Sequence, residues 1–500
     1  MALTAEPENG STQFSSKRIE VEFNEYLTLK NVSQELLVSP PLSNDPDIYT
    51  KKKSLIIDLE GPLRENTTYT FNFGNAITDL TEGNAAETFK YVFSTGEYID
   101  SLTIQGVIRN AFTGQPSAGF TVLLFGGLDT VSIPLDSLPA RRRPDYAGRT
   151  NENGEFLLDY LRADEYRLFA LADGNRNYLY DLPTEEIAFL PDPISAGDTN
   201  IISLRSFISD PDPQFLRARQ ISAVSIGFHT LGGLRPDVTP LPLNPLDTFF
   251  TVPSATDTLI GFLRPDHGYD SLLFLVEADT IIDTALVSWR IRDIPETPWK
   301  LNPSTGVWNT FDTLALKNAL PIDFVDPSKF KISVDSAEIP GDFQKTNAFT
   351  VQGNIDRSYG KSYVVQVLPG AAGTVRDTLS DTLTAVLNYP VKEDLGLLNV
   401  LWTLPAEKAV FLELLSEKNL VLYKKSFAAQ ASEKEEITTF PDLPPGSYRL
   451  RLVDDSNGNG RWDPGNYWTN ESSEFVYYSE TMLNVRANWE LDYELLLKNE

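Results

Sequence analysis

Cysteine is absent from the 500-residue sequence, which excludes disulfide bonds and thiolate chemistry. The two histidines, His229 and His267, belong to no His-Glu-x-x-His or related zinc motif. A Gly-x-Ser-x-Gly nucleophile motif, a phosphate-binding glycine loop and an apolar run long enough to span a membrane are also missing. The first residues do not have the pattern of a secretory signal peptide. We therefore predict that the chain is not an enzyme.

Basic residues are scarce as well. The chain has 42 Lys and Arg against 70 Asp and Glu, and its formal net charge is −28 at pH 7. Nucleic acid is therefore not expected as a partner, because binding to phosphates requires clustered positive charge. The basic cluster Arg141 to Arg143 lies in a proline-rich loop, and we interpret it as a solvated segment.

Short runs of Phe, Tyr, Val, Ile and Thr, separated by Pro, Gly, Asn and Asp, make up most of the chain. This pattern predicts strands and turns, and long helical periodicity is missing. Residues 411–423 also fit a helix, but we interpret them as a hairpin that turns at Glu417 to Asn419. Because 500 residues exceed one domain, we predict an all-β, elongated tandem array of roughly five β-sandwich modules.

One stretch in the middle of the chain returns near its end. The Asn153-Gly154 pair predicts a tight turn, and alternating apolar residues predict a strand after it. A second strand, residues 166–171, leads into a polar loop at 173–181, which we call loop 1. The same order precedes residues 455–463, which we call loop 2. Two copies of one module are therefore predicted.

The first module resembles the bacterial Ig-like domain named after the S-layer protein SbsA. The resemblance rests on the segments Arg18 to Phe23, Glu65 to Phe71 and Tyr91 to Gly96. Residues 301–392 repeat this order, so the resemblance implies a second Ig-like sandwich there.

The repeated module resembles the transthyretin-like domain that accompanies some carboxypeptidases. That family has a Leu-Pro-x-Gly loop before a Tyr, as in Leu443 to Tyr448; the first copy, Leu161 to Tyr166, lacks the Pro and Gly. The resemblance implies a fold and no activity, since this domain is an accessory in its enzymes. The predicted modules are Ig-like at 1–98, transthyretin-like at 99–205, a β-sandwich of unclear type at 206–300, Ig-like at 301–392 and transthyretin-like at 393–500.

This modular order and the two polar loops resemble Ig-like surface lipoproteins of Bacteroidota. In that family a lipid-modified cysteine lies upstream of the first strand. The resemblance therefore implies export, an N-terminal lipid that precedes this sequence, and attachment to the outer membrane on its surface or periplasmic face.

Both polar loops carry side-chain oxygens at alternate positions, as tight loops do around a hard cation such as calcium. Loop 2 fits better, because Gly460 stands at the sixth position, where loop 1 has Tyr178. Neither loop has Glu at the twelfth position, although Glu185 and Glu186 could reach into loop 1. The alternative is that Asx turns alone shape both loops. The candidate ligands of a structural calcium ion are Asp455, Asn457, Asn459, the carbonyl of Arg461 and Asp463 in loop 2, and Asp173, Asn175, Asn177 and Asp181 in loop 1.

The triplet Asp-(Ser/Thr)-(small or aliphatic) recurs more often than the two or three times that ordinary residue usage predicts. It resembles the O-glycosylation acceptor sequence of exported Bacteroidota proteins. The alternative is a turn ending in Asp, followed by a strand that opens with Ser or Thr. The candidate acceptors are Ser101, Thr130, Ser137, Thr258, Ser271, Thr280, Thr284, Thr313, Ser336, Thr378 and Thr382.

We interpret the chain as a non-enzymatic, outer-membrane-associated lipoprotein that acts as a protein-binding scaffold or accessory subunit of a complex for assembly, secretion or uptake. Its expected partners are other outer-membrane or surface proteins. The first alternative is a cell-surface glycan binder or adhesin, which an exposed aromatic platform would favour. The second is a glycoside hydrolase with an unrecognised carboxylate pair, which a deep cleft would favour.

Overall fold

The structure is a computed structural model. It describes the chain except residues 1, 81–83, 85–88, 128–137, 183, 199, 210–213, 232–233, 235, 242–248, 256–257, 264–269, 279–280, 291, 295 and 497–500, and the side chains of residues 34, 254 and 255.

Strands account for 53% of the residues and helices for 2%, which confirms the predicted all-β fold class. Among the described residues, helix is limited to α1 (Val32–Glu35) and the 3-10 turns Pro327–Lys329 and Lys392–Asp394. In the part of the chain that the structure describes, no helix has the length and apolar character needed to cross a membrane.

The strands up to residue 208 are β1 (Ala2–Glu6), β2 (Arg18–Phe23), β3 (Leu27–Leu29), β4 (Leu37–Ser39), β5 (Asp47–Lys51), β6 (Ser54–Asp58), β7 (Thr68–Asn72), β8 (Ile77–Asp79), β9 (Lys90–Ser94), β10 (Leu102–Asn110), β11 (Thr121–Phe125), β12 (Tyr146–Arg149), β13 (Glu155–Leu161), β14 (Glu165–Leu171), β15 (Glu186–Phe189), β16 (Ile194–Ser195) and β17 (Ile202–Ile208).

The later strands are β18 (Gln214–Gln220), β19 (Ser225–Leu231), β20 (Asp237–Leu241), β21 (Phe249–Ala255), β22 (Thr258–Leu263), β23 (Ser271–Ala278), β24 (Ile281–Ser288), β25 (Lys300–Asn302), β26 (Gly306–Val307), β27 (Leu314–Lys317), β28 (Ile322–Val325), β29 (Phe330–Val334), β30 (Ala337–Ile339), β31 (Asp342–Asn347), β32 (Thr350–Asn354), β33 (Ser362–Val367), β34 (Ala372–Thr374), β35 (Leu383–Asn388), β36 (Gly396–Leu404), β37 (Val410–Ser416), β38 (Val421–Phe427), β39 (Lys434–Leu443), β40 (Gly446–Asp454), β41 (Val476–Tyr478), β42 (Leu483–Val485) and β43 (Glu490–Leu495).

The chain divides into two compact units. Unit 1 takes in Met1–Ser209 and Trp462–Val476, and unit 2 takes in Asp210–Arg461 and Tyr477–Asn499. Residues 462–476 therefore group with unit 1, although their position in the sequence places them in the predicted module 393–500. The five module boundaries stay a prediction.

The first part of unit 1 is a β-sandwich. Its sheets β1-β2-β6-β5 and β4-β7-β9 enclose a single apolar core. In β2, Ile19, Val21 and Phe23 are buried while the residues between them are exposed. Strict alternation of this kind places one face of a strand in the core, as the sequence predicts.

The second part of unit 1 is built on a sheet with the order β12-β11-β14-β15-β17-β10-β13. Every residue of β11 is buried. Val122 and Leu124 join one apolar core, and Leu123 and Phe125 join another. The continuous apolar run of β11 is explained by this burial on both faces. The second core also contains Leu37 and Tyr467, so residues from outside the sheet cover its second face.

The two predicted copies of the repeated module pair their strands in the same way. In the first copy β10 pairs with β13 antiparallel and with β17 parallel; in the second, β36 pairs with β39 antiparallel and with β43 parallel. The pair β11 and β14 corresponds to β37 and β40. In both copies a Tyr hydroxyl bonds the carbonyl four residues earlier: Tyr166 to Arg162 and Tyr448 to Pro444.

Two local predictions are confirmed. Gly154 occupies the predicted turn with φ 77°, and a Cβ there would lie 2.3 Å from the carbonyl oxygen of Ile108, so this position requires glycine. The ambiguous residues 411–423 fall in the antiparallel pair β37 and β38, and Asn419 in the turn between them has φ 58°.

Unit 2 contains three main apolar cores. One involves the sheets β18-β19-β22-β21 and β20-β23-β24, and the next the sheets β25-β27-β32-β31 and β26-β35-β33-β29-β30. The third involves the sheet β39-β36-β43 and the sheet of β38, β37 and β40, with β41 and β42 beside β40.

Candidate functional site

Loop 1 follows β14, and its polar side chains bond to the loop itself. Asp173 accepts hydrogen bonds from the N–H groups of Asn177 at 3.2 Å and Tyr178 at 3.0 Å. The side-chain amides of Asn175 and Asn177 donate to the two oxygens of Asp181, at 3.0 and 2.7 Å. Both oxygens of each loop carboxylate therefore have donors.

Glu185 reaches into loop 1, as the sequence suggested. It is 2% exposed and accepts hydrogen bonds from the N–H groups of Gly174, Asp181 and Leu182, at 3.2, 3.3 and 3.2 Å. Three donors compensate for the burial of this carboxylate. Glu185 thus holds the two ends of loop 1 together.

Loop 2 follows β40 and repeats part of this hydrogen-bond pattern. The Gly460 N–H donates to Oδ2 of Asp455 at 3.0 Å, as the Tyr178 N–H does to Asp173. The Oδ1 atoms of Asn457 and Asn459 each accept the N–H two residues later, at 3.0 and 2.7 Å. Oδ1 of Asp455, however, is buried and has no hydrogen-bond partner among the described residues.

Calcium binding stays a prediction for both loops. Asx turns are present in both loops, as the alternative interpretation expects. Asp463, the ninth residue of loop 2, belongs to unit 1, where its N–H donates to Glu474 at 2.9 Å. The described residues contain no group of three or more His, Cys, Asp or Glu that could hold a metal ion. A cation in either loop would depend on amide and carbonyl oxygens.

Loop 1 also lines a cleft of about 720 Å³ in unit 1. Residues 32–48 contribute Leu36, Val38 and Ile48 together with the carboxylates Asp45 and Asp47. A volume of this size is typical of small-molecule and peptide-binding pockets.

The other contributors to the cleft come from the second predicted module. Among them are Arg143, Arg149 and Arg176, together with Asp173 and Tyr178. The Arg176 guanidinium donates to the carbonyl of Ser33 at 3.1 Å. The lining therefore holds three arginines and three aspartates, so charges of both signs are concentrated in the cleft.

Tyr178 reports the electrostatics of this cleft. Burial raises the pKa of its hydroxyl; Arg149 and Arg143 lower it, and Asp173 and Asp45 raise it. Guanidinium and carboxylate groups from several segments are therefore close enough to change the pKa of this hydroxyl. Such a mixture suits a ligand with both charged and apolar parts.

Sequence reasoning missed this cleft. It treated Arg141 to Arg143 as a solvated segment, yet Arg142 is bound to Asp145 at 2.7 Å and Arg143 lines the cleft. Arg141 and Arg143 are both exposed, as the interpretation expects. The available signal was the concentration of Arg at 141–143, 149 and 176 in an acidic chain.

Residues 462–476 cover the outer face of the sheet in unit 1. Tyr467 is 3% exposed, its ring centroid lies 5.0 Å from that of Tyr180, and its hydroxyl donates to the carbonyl of Leu138. Trp468 stacks edge-on against Tyr467 at 4.8 Å and stays 46% exposed.

Most tryptophans pack in or against apolar cores. Trp289, Trp308 and Trp402 are buried, and Trp299 and Trp462 are half-buried. Trp468 in unit 1 and Trp489 in unit 2 are exposed. The chain therefore does present aromatic surface.

His229 is the histidine that the structure describes. Nδ1 of His229 lies 3.5 Å from the hydroxyl of Thr258, and its pKa is lowered by burial and by the nearby Arg219 and Arg217. His267 lies outside the described residues.

The glycosylation candidates that the structure describes lie at the surface. Thr130, Ser137 and Thr280 lie outside the described residues, and Thr258 is half-buried. Most described candidates stand at the first residue of a strand or just before it, which is also what the turn-to-strand alternative predicts. The exposed candidates are Ser101, Ser271, Thr284, Thr313, Ser336, Thr378 and Thr382.

Comparison with known families identifies one part of the chain. Residues 2–95 match the family described as "Bacterial Ig-like domain". This agrees with the sequence-based resemblance of the first module to a bacterial Ig-like domain. No curated protein matches the sequence.

Several solved structures are similar at low identity. An I-band fragment from titin is 10% identical, covers 58% of this chain and 99% of its own, and has a TM-score of 0.13. The major pilin subunit of Bacillus cereus is 10% identical, covers 79% and 99%, and has a TM-score of 0.15. The S-layer protein rSbsC is 10% identical, covers 97% and 67%, and has a TM-score of 0.14. TM-scores this low support no argument about function.

Proposed function

We propose that the chain is a non-enzymatic bacterial surface protein, a binding scaffold or accessory subunit of an outer-membrane complex for assembly, secretion or uptake. The match of residues 2–95 to a bacterial Ig-like domain supports a surface location. Ig-like sandwiches present loops and strand edges to partners, which supports a role in recognition.

The cleft in unit 1 carries this proposal. Its arginines suit a carboxylate, because a guanidinium can donate two parallel hydrogen bonds to one. Leu36, Val38 and Ile48 offer an apolar surface beside these arginines. The partner is therefore a protein segment that places an acidic side chain or a chain terminus next to an apolar residue.

Arg143 is the residue to test, because it lines the cleft and no hydrogen bond or ion pair of its guanidinium is found among the described residues. The experiment is affinity purification of the full-length protein from its native outer membrane, followed by mass spectrometry. Wild type is compared with Arg143→Ala and with Arg141→Ala, a change two residues away at an exposed position.

We expect one or more membrane proteins to co-purify stoichiometrically with wild type and with Arg141→Ala, and to fall at least about tenfold with Arg143→Ala. Recovery of wild type alone would refute the subunit role. A partner that stays bound to Arg143→Ala would place recognition elsewhere on the chain.

Glycan binding is the second candidate, and the exposed Trp468 favours it. Its ring packs edge-on against Tyr467 and is 46% exposed, and exposed aromatic rings can stack on sugar rings. A glycan array with wild type and Trp468→Ala tests this role. Binding that survives Trp468→Ala would count against this surface as the glycan site.

The exposed Asp-Ser/Thr triplets support a further proposal, that the exported protein carries O-linked glycans at several of them. The intact mass of protein from its native source would then exceed the mass of the polypeptide. An unmodified mass would refute this proposal. An N-terminal lipid, expected from the resemblance, would appear in the same measurement on the native protein.

A further inference from the structure

Asp455 has an unusual environment for a carboxylate. It is 3% exposed, and Oδ1 has no hydrogen-bond partner among the described residues. The other oxygen, Oδ2, accepts the N–H of Gly460, so the carboxylate faces loop 2. A buried, charged oxygen without a donor is unfavourable by several kcal/mol unless a cation is bound. The free oxygen therefore indicates a ligand in loop 2.

Other residues of loop 2 supply oxygen atoms of the kind that calcium binds. Asn457 Oδ1 and Asn459 Oδ1 each accept one backbone N–H, and an amide oxygen has a second lone pair that a cation can use. Gly460 has φ 71°, which gives the sharp turn that calcium loops need at their sixth position. Arg461 supplies the backbone carbonyl at the seventh position.

Lys424 contacts the backbone of loop 2 and none of the side-chain oxygens named above. Lys424 donates to the carbonyl of Gly460 and lies 3.6 Å from Glu413, so its ammonium is engaged outside the set of side-chain oxygens named above. The Lys424 ammonium is therefore already paired with a carboxylate.

We propose that loop 2 binds a calcium ion through Oδ1 of Asp455, Oδ1 of Asn457, Oδ1 of Asn459 and the carbonyl of Arg461, with water at the other positions. Oxygen ligands at alternate residues of a tight loop are what this hard cation requires. All four ligands belong to unit 2; Asp463, at the ninth position, belongs to unit 1.

The number of charged ligands determines the affinity for calcium. These ligands carry a single formal negative charge, and calcium affinity decreases as the number of charged ligands decreases. The dissociation constant is therefore on the order of 10⁻⁴ to 10⁻³ M, the range of extracellular calcium modules. Magnesium binds more weakly, because it demands a rigid octahedral shell and gives up its water reluctantly.

Loop 1 does not share this site. Its first carboxylate, Asp173, uses both oxygens for backbone N–H groups, and the oxygens of Asp181 accept the amides of Asn175 and Asn177. No carboxylate oxygen of loop 1 stands free for a cation. The proposal therefore predicts one calcium ion per chain, in loop 2.

The test is calorimetric titration of the full chain with calcium chloride after treatment with a chelator, and magnesium chloride serves as the comparison. We expect one site per chain for calcium in wild type and in the matched control Asp173→Asn. Asp455→Asn, which removes the charge but keeps the shape, weakens calcium binding at least about tenfold.

A second variant tests the proposal independently if Asp455→Asn does not fold. Asn457 is exposed, so Asn457→Ala removes a ligand without disturbing a core, and we expect a loss of about threefold or more. Absence of calcium binding up to about 10 mM in folded wild type would overturn the proposal. So would binding that Asp173→Asn abolishes, or binding that both loop 2 variants leave unchanged.

Discussion

Loop 1 and loop 2 have the same backbone conformation and different side chains. At their fourth and sixth positions both adopt positive φ: 60° and 63° at Arg176 and Tyr178, and 70° and 71° at Gly458 and Gly460. Glycine adopts this conformation freely, whereas other residues pay about 1–2 kcal/mol for it. Loop 1 therefore tolerates strain at two residues that both line the cleft of unit 1.

The difference shows how one repeated module can acquire two roles. In loop 1 every carboxylate is bound by amide groups, and the two strained side chains are directed to a binding cleft. In loop 2 glycines relieve the backbone, and one buried carboxylate oxygen is left for a ligand. The same Asx turns thus serve a cleft wall in one copy and the proposed cation site in the other.

The largest expected effect is a loss of stability when the side chain of Tyr467 is removed from the outer face of the sheet in unit 1. Tyr467→Ala should lower the free energy of unfolding of unit 1 by about 3–5 kcal/mol, because it empties the space among Phe169, Phe189 and Tyr180. Chemical denaturation measures this loss. Tyr467→Phe, which removes only the hydrogen bond to Leu138, should cost about 1 kcal/mol. A loss for Tyr467→Ala below that of Tyr467→Phe would show that the face does not depend on this ring.

A smaller loss is expected from the carboxylate that closes loop 1. Glu185→Ala removes the shared acceptor of three part-buried N–H groups and should destabilise unit 1 by about 1–3 kcal/mol. The control is Glu152→Ala, at an exposed turn, which should change stability by less than about 0.5 kcal/mol. Equal effects of the two variants in urea denaturation would contradict the role assigned to Glu185.

The smallest effect comes from exchanging the strained position between the loops. Gly458→Arg places in loop 2 the residue that loop 1 has, and it should cost about 1–2 kcal/mol for the backbone alone, since no atom lies within 4 Å of a Cβ there. Arg176→Gly should change stability by less than about 1 kcal/mol, because relief of strain offsets the lost bond to Ser33. Thermal denaturation of the two variants measures both values. A destabilisation by Arg176→Gly larger than that by Gly458→Arg would contradict this account of the backbone.

Features that depend on local pattern were predictable from the sequence. The alternation in β2, the turn at Gly154 and the hairpin of β37 and β38 each follow from residues close together in the chain. The repeat of the module was visible because both copies keep the same turn, strand and loop signals. Each of these features is determined by residues that are close together in the sequence.

Features that join distant residues were not predictable in this way. The cleft brings Asp45 together with Arg143 and Arg176, and no periodicity connects these positions. Tyr467 lies in a segment between two strands of the second copy, and nothing in its sequence indicates that it is buried in unit 1. The free oxygen of Asp455 depends on burial and on one missing N–H donor, which residue spacing does not reveal.

The most direct test of the contrast between the loops is the melting temperature of three proteins, wild type, Asp173→Asn and Asp455→Asn, with calcium and with a chelator. Calcium at ten times its dissociation constant should stabilise the folded chain by about 1.4 kcal/mol. The account predicts that calcium raises the melting temperature of wild type and Asp173→Asn and leaves that of Asp455→Asn unchanged. A melting temperature of wild type that does not respond to the chelator, or a response lost in Asp173→Asn instead, would contradict it.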